Sequence, residues 1–191
     1  MTNTKTISYR YTMPKLSVKT KTIATVIAVA LAILLPQLIH MIGLETRTGS
    51  SLGEMLLPMH LPIIMVGFIA GPVAGAVSGF FASIISFAVT GMPGMVMLPF
   101  IAIELAVYGY ASGVIRETKI NTFVKVIIVQ IAGRFVRSLA ILAAVYLMGN
   151  TVVKASVIWT SIKTGLVGIL IQLVVVPLAV FVVRKAVDDE K

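Results

Sequence analysis

Residues 95–115 read MVMLPFIAIELAVYGYASGVI, an apolar run whose one charged residue, Glu104, stands near its centre. About 20 apolar residues cross a hydrocarbon core of roughly 30 Å as an α-helix. A carboxylate at that depth costs about 2.5–3.5 kcal/mol on translocon scales, so it is kept for a partner or a function.

Five similar runs flank this one. They lie at about 22–44, 55–70, 71–90, 122–148 and 155–183. Gly71-Pro72 separates the second from the third, because proline cannot continue a hydrogen-bonded helix. Gly91-Met92-Pro93-Gly94, the polar turn 116–121 and Gly149-Asn150 mark the other breaks. The expectation is an all-α integral membrane protein of six transmembrane helices. It comprises a basic tail over 1–21 with a short interfacial stretch at 9–13, a membrane domain over 22–185, and a short tail over 186–191.

Composition agrees. The chain of 191 residues is 58% hydrophobic, has a mean hydropathy of +1.03 and is only 12% charged, half the charge of a typical soluble domain. A pI of 10.1 does not point to nucleic acid, since the basic residues flank apolar runs. No cysteine is present, which excludes disulfides and thiolate chemistry. The first apolar run is too long for a signal-peptide core and lacks a small-residue exit.

Lysine and arginine counts set the expected orientation. Six spans place the N-terminal tail, the 116–125 turn and the C-terminal tail on one side with eleven basic residues, against Arg47 and Lys154 on the other. Both termini are therefore expected in the cytoplasm, with 45–54, 91–94 and 149–154 outside.

Three more charges fall inside apolar runs: Arg134, Arg137 and Lys163. With Glu104 they leave a surplus of two positive charges. Each is expected in the middle-to-outer part of its span, facing one outward pocket for a small anion. Glu104 and Tyr108 are four apart and share a helix face, as do Gln130, Arg134 and Arg137, and likewise Trp159 and Lys163. An arginine fork suits a carboxylate. The competing reading is a structural Glu104–Arg134 salt bridge, with Arg137 and Lys163 snorkelling outward. His60, in LPMHLP at 57–62, and Met92, in the outer turn, complete the candidate set. His60 serves equally as a helix-end hydrogen bonder, and with His40 badly spaced a metal site is not expected.

Gly67, Gly71, Gly75 and Gly79 recur every fourth residue, a small-xxx-small pattern for close helix packing. Ala24, Ala28 and Ala32 do the same in the first span, as an internal seam or as a docking strip. There is no phosphate-binding glycine loop, no Ser/His/acid set and no second carboxylate in the spans. Neither an enzyme nor a proton-coupled carrier is expected, and no cofactor.

The chain resembles the substrate-binding S components of energy-coupling factor (ECF) vitamin transporters. The likeness rests on six spans with both ends inside, the Ala24-xxx-Ala28 strip, and the stretches LPMHLP at 57–62, TGMP at 90–93 and ELAVYG at 104–109. It implies capture of a vitamin from outside and docking on a transmembrane T component bearing two ATP-binding subunits. ATP hydrolysis in those subunits would drive toppling and inward release. It also implies that Ala24, Ala28 and Ala32 contact the T component. Among S components the chain is most similar to the pantothenate type, with hydroxymethylpyrimidine and pyridoxine types next. A pantothenate carboxylate suits the positive surplus. A neutral pyrimidine would lean on Glu104 and on stacking, for which Tyr108 and Trp159 are the plausible aromatics. A structural subunit without a ligand is the alternative class.

Overall fold

The structure, a computed structural model, describes residues 16–45 and 55–189. The interfacial stretch expected at 9–13 and most of the 45–54 loop lie outside the described residues. Within them every regular element is helical: α1 (Val18–Glu45), α2 (His60–Ala70), α3 (Pro72–Thr90), α4 (Leu98–Ile115), α5 (Thr122–Leu142, continued by a π turn Ala143–Leu147), α6 (Val157–Thr164) and α7 (Leu166–Asp189).

Five of these helices are long and apolar enough to cross a membrane: Val18–Ile42, Pro72–Thr90, Leu98–Ile115, Thr122–Leu147 and Leu166–Val183. α2 is a shorter apolar helix. The six expected spans therefore become five long helices and one short one. α1 begins four residues before the expected start, where Ser17 Oγ accepts from Thr20 N at 3.1 Å and caps the first turn. The last run, expected as one span over 155–183, is broken at Gly165 into α6 and α7. Exposed Ile, Leu, Val and Phe side chains cover the outside of the long helices, a surface suited to lipid rather than water.

α4 is the centre of the bundle, flanked by α3, α2 and α5. Glycine makes that possible. A Cβ on Gly75 would collide with the Gly109 backbone, one on Gly109 with Gly75, and one on Gly79 with the Leu105 carbonyl. The small-residue repeat is thus an internal seam between α3 and α4, with Gly67 set against Gly109 and Ser112 in the same way. Close backbone approach replaces the hydrophobic effect as the source of helix association in lipid. Gly109→Ala is expected to cost about 1–3 kcal/mol through overpacking, whereas Gly94→Ala, with nothing within 4 Å of its Cβ, is expected to be silent. Thermal unfolding in detergent compares the two; equal midpoints would contradict the seam.

The alanine strip packs largely within the subunit. Ala28 is 5% exposed and Ala32 is fully buried. Ala28 packs with Val66 and Ala70 of α2, with Ala24 and Ala74 partly buried against them. The strip lets α1 lie close on α2 and α3. The neighbouring row Ile23, Ile27 and Leu31 is what α1 exposes.

Lys125 also departs from expectation. It was counted with the basic turn, but it is buried in α5 and its Nζ donates to the Arg116 carbonyl at 2.8 Å. A cation at the α4 C-terminus meets the negative end of the helix dipole. Arg116 in turn donates to the Ile69 carbonyl at 3.3 Å and pairs with Glu117 at 2.8 Å, tying the ends of α2 and α4 together.

Candidate functional site

Glu104 is fully buried on α4, and each of its oxygens has a partner. Tyr108, one turn on, donates its hydroxyl to Oε1 at 3.0 Å, as the four-residue spacing requires. Arg137 of α5 donates Nη1 to Oε2 at 2.9 Å. The ion pair is therefore Glu104–Arg137, not Glu104–Arg134. A charge-assisted bond of that length satisfies the carboxylate in a medium that offers no water.

His60, the first residue of α2, stands beside this pair. Its Nε2 is 3.9 Å from Glu104 Oε2, an electrostatic contact too long for a hydrogen bond. Its ring meets the Tyr108 ring edge-on at 5.2 Å. Both ring nitrogens are buried without a hydrogen-bond partner among the described residues. Unpaired groups of this kind are rare in native structures and ask for a reason.

Arg134 lies one turn before Arg137. Among the described residues it has no hydrogen bond and no ion pair, and its Nε is buried. It lines a cleft between α5 and α6 together with Arg137, Ser138, Ile141, Ile158, Ser161 and Ile162. The cleft is small, about 10 Å³, scarcely room for one water. Gly165, at the break between α6 and α7, admits the guanidinium: a Cβ there would lie 3.0 Å from Arg134 Nη2. Gly133 plays the same part for Tyr108, whose Cε1 would be 2.5 Å from a Cβ at that position.

The structure thus gathers His60, Glu104, Tyr108, Arg134 and Arg137 and does not gather the other candidates. Lys163 is exposed in the last turn of the eight-residue helix α6 rather than inside a long span. Trp159 shares its face and is 67% exposed. Met92 is 42% exposed on the turn after α3, where its amide N–H donates to Thr90 Oγ1 at 3.2 Å. One pocket holding all four spanning charges does not form. The surplus at the site is one cation, Arg134.

Sequence reasoning missed Ser138, Ser161, Gly133 and Gly165, which line or admit the cleft. The spacing of Ser138 and Ser161 carries no signal, whereas Gly165 two residues after a lysine in an apolar run was a legible break.

The decisive comparison concerns the whole helical domain. The family model of the ECF transporter substrate-specific component matches residues 21–180. The chain belongs to this family. No curated protein and no solved structure matches it significantly. Family members are multi-pass membrane proteins that bind the substrate of an ECF importer, and are not enzymes themselves. Membership implies a T component, ATPase partners and a small-molecule substrate.

Proposed function

We propose that this S component captures pantothenate from outside the cell. The observation that carries the reading is Arg134: the one buried carboxylate among the described residues, Glu104, is engaged by Arg137 and Tyr108, and a second guanidinium lines a cleft with two serines. Among the described residues this half-buried arginine has no hydrogen bond and no ion pair, an arrangement that is costly in lipid, and a ligand carboxylate accepted by the arginine fork relieves that cost. The amide and hydroxyl groups of pantothenate suit the unpaired nitrogens of His60 and the two serines. Because the cleft is so small, binding requires α6 or the segment before α2 to move away from α5.

The hydroxymethylpyrimidine and pyridoxine alternatives are less well supported. A ring of that kind wants a stacking face and a free carboxylate. Tyr108 is covered by His60 and Gly133, Trp159 is largely exposed, and both Glu104 oxygens are engaged. Calorimetry of the isolated protein with a panel of B vitamins tests the substrate. The expected result is tight binding of pantothenate without ATP; the absence of any binding at micromolar concentration would overturn the capture role.

The same reading has both termini in the cytoplasm, supported by the eleven-to-two bias of basic residues, and α1 as the face for the T component. Since Ala28 and Ala32 are covered within the subunit, they would act by seating α1, leaving Ala24 and the exposed row beside it to face the partner. Ala24→Trp is expected to keep vitamin binding and lose co-purification with the T component. Ala28→Trp is expected to lose folding as well. Retained co-purification in Ala24→Trp would move the docking face elsewhere.

A further inference from the structure

Two buried glutamines in the bundle have no part in the ion-pair cluster. Gln130 of α5 donates Nε2 to Gln172 Oε1 at 3.2 Å, and Gln172 of α7 donates Nε2 to the Leu57 carbonyl at 3.3 Å. The direction is fixed: a carbonyl only accepts, so the Gln172 amide nitrogen must face Leu57 and its oxygen must face Gln130. The chain of bonds ends on an irregular turn, not on another helix. Leu57 there has φ +48°, an uncommon conformation for a bulky side chain. Three residues later the turn delivers His60 as the first residue of α2.

The seat for this turn is made by glycine. Gly165, Gly168 and Gln172 follow at spacings of three and four and fall on one side of the helix path. A Cβ on Gly168 would lie 2.6 Å from the Leu56 backbone and 2.7 Å from the Met55 carbonyl oxygen. A Cβ on Gly165 would lie 2.9 Å from Leu57 Cδ1. Residues 55–57 therefore rest directly on α7, and their contact at Gly165 adjoins Arg134. The turn that carries His60 and the helix break that admits Arg134 share one support.

We infer that Gln172, oriented by Gln130, is a positioning residue of the binding site: it holds the 55–59 turn so that His60 faces Glu104 while Arg134 fills the space beside Gly165. The ligand part of this inference rests on the capture role proposed above. An ordinary α5–α7 hydrogen bond would explain Gln130 with Gln172. It does not explain why the second amide hydrogen is spent on the one left-handed non-glycine residue among those described.

The absence of cysteine allows a direct test. Met59→Cys places a thiol at a buried position in the turn, and Ala82→Cys places one in the buried core of α3. Alkylation by N-ethylmaleimide is followed for each reporter with Gln172 intact and with Gln172→Met. The loss of one buried hydrogen bond is expected to raise the rate at position 59 about tenfold and leave position 82 unchanged. Pantothenate affinity is expected to fall by a similar factor. Equal acceleration at both reporters would mean a general loss of stability, and no acceleration at 59 would mean that the turn is held by other contacts; either overturns the inference. Should Gln172→Met not fold, Gln130→Met, which keeps the Leu57 bond but frees the amide, is expected to give a smaller rise confined to position 59, and no rise overturns the inference. If the wild-type protein binds no vitamin, the substrate reading fails while the labelling still decides the role of Gln172.

Discussion

Glu104→Gln is expected to be the most destabilising single substitution of a charged residue in this chain. The carboxylate receives Arg137 at 2.9 Å and Tyr108 at 3.0 Å, with His60 at 3.9 Å on the same oxygen as the arginine. Glutamine keeps the shape and removes the charge, so Arg137 is left as a largely buried cation. Breaking a buried pair by removing one partner costs about 3–5 kcal/mol, a large part of a typical stability of about 5–15 kcal/mol. Denaturation of the detergent-solubilised protein measures it. The partner is identified by a double-mutant cycle. Glu104→Gln with Arg137→Gln is expected to recover part of the loss, because no charge is left behind. Glu104→Gln with Arg134→Gln is expected to recover little. The opposite ranking would assign the ion pair to Arg134.

Arg134→Gln carries the second large effect, on binding rather than on stability. Among the described residues Arg134 makes no hydrogen bond and no ion pair, so its removal is expected to cost the fold little. For the ligand it is the one uncommitted cation in the cluster. Removing one member of a buried charge pair costs about 2–5 kcal/mol in binding, so a fall of about 100-fold in affinity is expected. Lys154→Ala and Lys163→Ala, both exposed, are expected to change affinity by less than about threefold, as exposed charges do. Calorimetry on the three variants decides it. Equal losses would place the ligand away from Arg134.

The elements that were legible in the sequence are those where local chemistry decides. Gly71-Pro72 ends one helix and starts the next. Glu104 and Tyr108 bond because four residues make one turn. The four-residue glycine repeat, apart from Gly71, became the α3–α4 and α2–α4 seams. What was not legible depends on side-chain reach and on the phase between helices. Arg134 and Arg137 are three residues apart, so helix periodicity puts both on one face and cannot say which fork arrives at Glu104. The alanine strip is equally smooth whether it meets another subunit or α2, so its packing on Val66 and Ala70 could not be read from the pattern. The run over 155–183 is apolar throughout apart from Lys163 and a few polar residues, so hydropathy joined α6 to α7. The break at Gly165 leaves Trp159 and Lys163 exposed on the short helix α6. The glutamine pair was half visible, since Gln130 shares a face with the arginines. Its partner Gln172 is 42 residues away, a distance over which no local pattern speaks.

The proposed capture role rests on Arg134, a half-buried arginine with no ion-pair partner among the described residues, receiving the carboxylate of a vitamin. Calorimetric titration of the purified wild-type protein with pantothenate and with its neutral alcohol analogue, in which the carboxylate becomes a hydroxymethyl group, tests it most directly. Pantothenate is expected to bind in the absence of ATP and partner subunits, and the alcohol to bind about 100-fold more weakly. Equal affinity for the two compounds, or tight binding of a flat heteroaromatic vitamin in place of pantothenate, would contradict it.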